Sequence, residues 1–185
     1  MARMQADDVK AFELLYARYE RPLVNFFYQM CFDRVASEDY LQETFMRVWR
    51  ARATYRPIGK VSTWLYQIAK HYWFNEREKQ IRRPFHKVAG GDDAHAQWNN
   101  VADRTEETAP DAVAQAGETE AAIEEAVSAL SDKLRSVFVL ARYRGLPYAE
   151  ISAILDIPVG TVKSRMSLAE QRLRTSLAPI LQGER

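Results

Sequence analysis

A single cysteine, Cys31, in 185 residues excludes an internal disulfide and any cysteine-rich zinc site. It sits between Met30 and Phe32 at the end of an apolar helical pattern, where a thiol behaves as a small buried hydrophobe. Histidine is nearly as scarce. His71, His86 and His95 have no metal-ligand spacing, and the chain has neither a Gly-rich phosphate loop nor a nucleophile elbow. No metal site, catalytic residue, cofactor or small-molecule substrate is therefore expected. No apolar run approaches the roughly eighteen residues that span a bilayer, and the N-terminus lacks a signal-peptide core. A cytoplasmic chain without membrane insertion is expected. Strand-like alternation, internal repeats and low-complexity tracts are missing too, which leaves an all-α fold.

What is present is a 47% hydrophobic content, ample for helical cores, and an uneven charge. The net charge of +1 hides three segments. Met1 to Pro84 carries 15 Lys+Arg against 10 Asp+Glu, Phe85 to Leu130 carries 2 against 10, and Ser131 to Arg185 carries 9 against 5. Two basic segments flanking an acidic one provide two surfaces for a polyanion and a middle stretch that a polyanion repels.

The first basic segment reads as three amphipathic helices. Phe12, Leu15, Tyr16, Tyr19, Leu23, Phe26 and Phe27 recur at helical steps from about Asp7 to Cys31, with Pro22 as an expected kink. After Asp33-Arg34, Ser37 is the expected cap of a second helix with Tyr40, Leu41, Phe45, Val48 and Trp49 inside. Tyr55 to Lys60 forms a turn, and Ser62 is the expected cap of a third helix through Trp64, Leu65, Ile68 and Tyr72 to Arg83. From Pro84 to about Gly117 the periodicity fades into a polar, acidic stretch that reads as a flexible linker. The boundaries expected are 1–84, 85–117 and 118–185.

Helical pattern resumes with Ala122, Ile123, Ala126, Val127 and Leu130, and Ser131 caps a helix holding Leu134, Val137, Phe138 and Leu140. Gly145-Leu146-Pro147 then leads into a helix-turn-helix. Tyr148, Ile151, Ile154 and Leu155 share one face of its first helix, and Ser152 is small enough for close helix approach. Pro158 opens a second helix that buries Val162, Met166, Ala169 and Leu173. Its other face carries Thr161, Lys163, Ser164, Arg165, Ser167, Gln171 and Arg172, donors of the kind that reach phosphates and base edges in a major groove.

These segments together resemble the extracytoplasmic-function (ECF, group IV) sigma factors of the sigma-70 family. The N-terminal part of the resemblance lies in Ala11-Phe12-Glu13-Leu14-Leu15-Tyr16 with Tyr19, Glu38-Asp39-Tyr40-Leu41-Gln42-Glu43-Thr44-Phe45 with Val48-Trp49, and Trp64-Leu65-Tyr66-Gln67-Ile68-Ala69. The C-terminal part lies in Leu134 to Tyr143, Gly145-Leu146-Pro147-Tyr148-Ala149-Glu150-Ile151, and Ile157-Pro158-Val159-Gly160-Thr161-Val162-Lys163-Ser164-Arg165. Each motif is weak singly; their order and separation make them specific. The chain departs from the family pattern at Val61, often an aromatic, at His71, commonly Asn, at Asn75, commonly Asp, and at Asp156, usually a turn glycine.

The resemblance implies two small helical domains, region 2 and region 4, in a non-enzymatic subunit that directs core RNA polymerase to promoters. On the second helix it implies that Asp39, Gln42, Glu43, Arg47 and Arg50 grip the polymerase β′ clamp helices, with the β subunit as a further contact. Spacing alone favours a solvated face with Glu43 paired to Arg47, and only the motif match reverses that preference. For the -10 element it implies Arg56, Lys60, Lys70, His71, Trp73, Phe74 and Arg77, where aromatics between cations suit unstacked bases. Tyr72 continues the inner stripe, and Phe74 is a better stacking candidate than Trp73. For the -35 element it implies Thr161, Lys163, Ser164, Arg165 and Arg172. The linker reads as a tether, as a mask over the basic surfaces or, by the resemblance, as a segment threading toward the polymerase active site. Control by a separate anti-sigma factor is implied as well.

Two other readings compete. A stand-alone DNA-binding regulator needs more phosphate contacts than one short recognition helix supplies, or a dimerisation heptad that is not visible. A metal-dependent nuclease built on Asp39, Glu43 and His71 lacks ligand spacing.

Overall fold

The computed structural model describes residues 1–82 and 110–182, all of whose regular structure is helical. Helix α1 spans Ala2–Gln5, α2 Val9–Cys31, α3 Arg34–Ala51 and α4 Val61–Arg82, with a 3-10 turn at Arg52–Thr54. The C-terminal set is α5 Pro110–Ser128, α6 Asp132–Phe138, α7 Tyr148–Leu155 and α8 Val159–Gln182, with a π-helical turn at Val139–Tyr143.

Local chemistry sets most of the boundaries. Asp8 caps α2 by accepting from the Ala11 N–H at 3.1 Å, and the helix runs through Pro22 to a left-handed Phe32. Asp33, rather than Ser37, caps α3 by accepting from the Ala36 N–H at 3.0 Å. Ser37 lies buried inside that helix and turns its hydroxyl back to the Asp33 carbonyl. Ser62 is likewise no cap, because α4 already begins at Val61. Ser131 does occupy the N-cap position of α6, through its carbonyl, which accepts from Leu134 and Arg135. Helix α5 starts at Pro110, so 110–117, expected to be linker, are helical. Proline suits a first helical position, and the Ala-rich run behind it has high helix propensity. The rest of the expected linker, with His86 and His95, lies outside the described residues.

Helices α2, α3 and α4 pack around an aromatic core. Phe26, Phe27, Leu41, Phe45, Val48, Leu65 and Trp73 are buried in it, and Tyr40 meets the Trp73 ring edge-on at 5.3 Å. The expected inner stripe of α4 is displaced: Leu65, Tyr66, Ala69, Lys70 and Trp73 are its buried residues, while Trp64, Ile68 and Tyr72 are half-buried. The displacement has a packing cause. Helix α4 is covered by α3 on one flank and by α7 on another, so its buried arc is wider than that of a helix lying on a single layer. Val137, Val139, Leu140, Ile151, Ile154, Leu155, Val162 and Met166 continue this same core into the C-terminal set. A second cluster, Ala126, Val127, Leu130, Leu134, Ala169 and Leu173, joins α5, α6 and α8.

Candidate nucleic-acid interface

The helix-turn-helix is built from a short apolar helix, a strained turn and a long helix. Ile151, Ile154 and Leu155 of α7 and Val162, Met166, Ala169 and Leu173 of α8 are buried, as the periodicity predicts. Asp156 takes the left-handed conformation, φ 56° and ψ 52°, that glycine would adopt without a Cβ penalty. Ser152 secures the turn: its hydroxyl donates to the Ile157 carbonyl at 2.6 Å, and its own carbonyl accepts from the Ile157 N–H at 3.2 Å. The Pro158 carbonyl accepts the first bonds of α8, from Thr161 at 2.9 Å and Val162 at 3.1 Å.

Beside that core, Thr161, Ser164, Arg165, Leu168 and Arg172 recur at three- and four-residue steps along one face of α8. Lys163, Ser164 and Arg172 are exposed, and Thr161 and Arg165 are half-buried. Lys163 lies on the far side of α8 from Thr161, Arg165 and Arg172, and Arg172 sits further along, bordering a groove against Ala126, Ala129 and Leu130 of α5.

The face of α3 proposed for a protein partner is also distinct. Asp39, Gln42 and Arg50 are exposed. Glu43 lies 2.9 Å from Arg47 and 3.9 Å from Arg50, and the Arg47 guanidinium lies 4.6 Å from the centroid of the Tyr72 ring. Sequence reasoning missed Met46, which stands 49% exposed amid these polar groups. An apolar residue inside a polar rim is the usual anatomy of a docking face.

On α4 and the loop before it the expected residues separate. Arg56 is exposed beside Ile58, itself 87% exposed at the loop tip. His71 is exposed, with its charged form disfavoured by partial burial and by Lys70 beside it. Phe74 is half-buried against the core. Trp73, expected at the DNA, is 2% exposed and packs on Tyr40, so the indole is a core residue that cannot stack on a base. Lys70 is also a correction: it is 8% exposed beneath α7, donates to the Leu155 carbonyl at 3.4 Å, and burial lowers its affinity for a proton. Arg77 pairs with Asp132 at 3.3 Å, and Lys60 with Glu150 at 2.8 Å.

Two further residues escaped sequence reasoning. Arg135, 8% exposed, donates to the Met30, Ser128 and Leu130 carbonyls and so ties α6 to the end of α2. The signal was available, since it is the one cation in Leu134–Leu140, an otherwise nearly apolar run. Glu150 gave no such signal, because an acidic residue in a helix's first turn is ordinary.

The chain matches the sigma-70 region 2 model over residues 15–83 and the sigma-70 region 4 model over residues 120–173. It is 30% identical over 179 residues to an RNA polymerase sigma-H factor of Pseudomonas aeruginosa, covering 97% of this chain and 92% of that protein. The chain belongs to the ECF class of the sigma-70 family. An ECF RNA polymerase sigma-E factor of Escherichia coli is also 30% identical, over 97% of this chain and 93% of its own length. The fold of this ECF factor resembles that of the sigma factor RpoE from Bartonella quintana, solved with the anti-sigma factor NepR (TM-score 0.67, 20% identity, 91% and 98% of the two chains). It also resembles CnrH, solved with the cytosolic domain of CnrY (TM-score 0.68, 21% identity, 96% and 94%). Among the described residues of this ECF factor, no helix is long and apolar enough to cross a membrane.

Proposed function

We propose that this sigma factor binds core RNA polymerase in the cytoplasm and directs it to promoters, without bond-making chemistry of its own. The observation that carries the reading is a complete helix-turn-helix with an outward basic face in the same chain as a region 2 helical unit. In this reading Thr161, Lys163, Ser164, Arg165 and Arg172 bind -35 duplex in the major groove. Asp39, Gln42, Glu43, Arg47 and Arg50, centred on Met46, dock on the polymerase clamp. Arg56, Lys60, His71, Phe74 and Arg77 engage the -10 strand, with Lys70 able to join them only after α7 leaves. Stacking is worth about 1–3 kcal/mol per base, so a few captured bases offset much of the cost of opening a short duplex. One structural neighbour was solved with an anti-sigma factor, and an anti-sigma factor that covers these same faces is the corresponding partner here.

In vitro transcription tests the reading. The purified chain with core polymerase on fragmented genomic DNA should give new transcript starts that share two upstream motifs. The absence of new starts, with core polymerase shown active, would overturn it.

A further inference from the structure

Helix α7 packs over the start of α4 and reaches two of the residues assigned to -10 DNA, Lys60 in the preceding loop and Lys70. Glu150, in the first turn of α7, accepts from the Lys60 ammonium at 2.8 Å, the Ser62 hydroxyl at 3.2 Å and the Thr63 hydroxyl at 3.3 Å. Further along α4, the Gln67 side-chain amide donates to the Ala153 carbonyl at 2.8 Å, and Lys70 donates to the Leu155 carbonyl. Lys60, Ser62, Thr63, Gln67 and Lys70 are thus spent on α7. They are donors of the kind that hold phosphodiester oxygens, and a carboxylate offers the same charge and the same type of acceptor.

The Glu150 side chain is 8% exposed, so its carboxylate rather than a strand phosphate fills the place between Lys60, Ser62 and Thr63 while α7 lies there. The Lys60 ion pair is weak taken alone, because Lys60 is 70% exposed. Apolar burial closes the rest of the contact: Ile151, Ile154 and Leu155 share one core with Leu65, Tyr66 and Ala69. Arg77 with Asp132 and Arg135 with the Met30 carbonyl fasten the two units at points beyond α7.

We propose that this arrangement is a closed resting state in which Glu150 occupies the seat of a DNA phosphate on Lys60, Ser62 and Thr63, so that region 4 masks the -10 face. The proposal rests on the assignment of α4 and its preceding loop to -10 DNA. A strand and α7 then compete for one set of donors, and the closed fraction lowers the apparent affinity for the strand. By reciprocity, a bound strand holds the molecule open.

The test uses the full chain, with fluorescence anisotropy on labelled random-sequence single-stranded DNA and solution X-ray scattering for compactness. Glu150→Gln, which keeps shape and removes charge, should bind the strand at least about fivefold more tightly than the unaltered chain. Glu20→Gln, the same charge change on α2 away from the contact, should leave affinity unchanged. Glu150→Arg should enlarge the radius of gyration, and adding Lys60→Glu to it should restore the compact value. An unaltered chain as extended as Glu150→Arg, or equal strand affinity for Glu150→Gln and the unaltered chain, would overturn the closed state. Transcription with the same preparations separates the two ideas. An unaltered chain that programs no promoters sinks the sigma-factor reading, while one that does, alongside unchanged Glu150 variants, sinks only the mask.

Discussion

On α8 the cations Lys163 and Arg172 stand exposed, whereas on α4 Lys70 is covered by α7 and Arg77 is paired with Asp132 across the two units. The two basic segments carry comparable surpluses, with 15 Lys+Arg against 10 Asp+Glu in one and 9 against 5 in the other. Their charge is nevertheless available to very different degrees. Formal charge measures what a surface could offer to DNA; burial and pairing decide what it offers in a given conformation. In this conformation Lys163 and Arg172 of the proposed -35 set are open, while Lys60, Lys70 and Arg77 of the proposed -10 set are paired or covered.

Substitutions on the covered side should act mainly through stability, and those on the open side mainly through binding. The largest effect is expected for Trp73→Ala, which should cost about 3–5 kcal/mol in denaturant unfolding because it empties a buried aromatic site. Phe74→Ala, whose ring is half-buried, should cost less stability and instead impair promoter opening, read by permanganate reactivity of unpaired thymines. Equal stability losses for the two would remove the distinction between a core ring and a stacking ring. Arg135→Ala should lose about 2–3 kcal/mol by the same unfolding assay, since it removes charge-assisted bonds to three carbonyls. On the open side, Arg165→Ala should leave unfolding unchanged and weaken -35 binding by the assembled polymerase by about 1–3 kcal/mol.

Acid should loosen the covered face alone. The Lys60 ammonium and the Ser62 and Thr63 hydroxyls hold the Glu150 carboxyl below its ordinary 4.5, so its contribution is present above that value and fades as pH falls through the lower native one. His71, held below its ordinary 6.5 by burial and Lys70, acts in the same direction: its protonation on acidification is resisted by the closed form. Scattering at falling pH should therefore show expansion, and Glu150→Gln should blunt it. The smallest effect is expected at the turn, where Asp156→Gly should stabilise by no more than about 1 kcal/mol by relieving a left-handed Cβ.

Most helices were legible because their apolar residues repeat with the helical period, and the core of α8 follows that pattern residue by residue. The turn was legible because few residue types other than glycine tolerate a left-handed backbone and Asp is one of them. What could not be read was the consequence of a second layer. Periodicity marks a buried face but not how many neighbours cover it, so the displacement of the α4 stripe toward Trp73 and Lys70 required α7 to be in place. Caps were misplaced where two candidates stood close together, as with Asp33 and Ser37, because either side chain can serve and only geometry chooses. At the candidate site, Lys163, Ser164 and Arg172 were identifiable as outward donors, while the tie between Glu150 and Lys60 joins residues far apart in the chain and leaves no local trace.

The π-helical turn at Val139–Tyr143 has a consequence for how such a chain tolerates insertion and deletion. Its bond from the Arg144 N–H to the Val139 carbonyl, at 3.2 Å, spans five residues, and the left-handed Gly145 follows at φ 61°. Relative to a regular helix it accommodates one additional residue per turn, and one residue is about 100° of rotation. A first deletion there would be absorbed as the turn reverts to α-helical bonding, whereas a second would leave α6 and α7 intact in composition while swinging the heading of the helix-turn-helix by more than a quarter of a circle. The length of this short stretch, more than the identity of its side chains, is what aims the reading head.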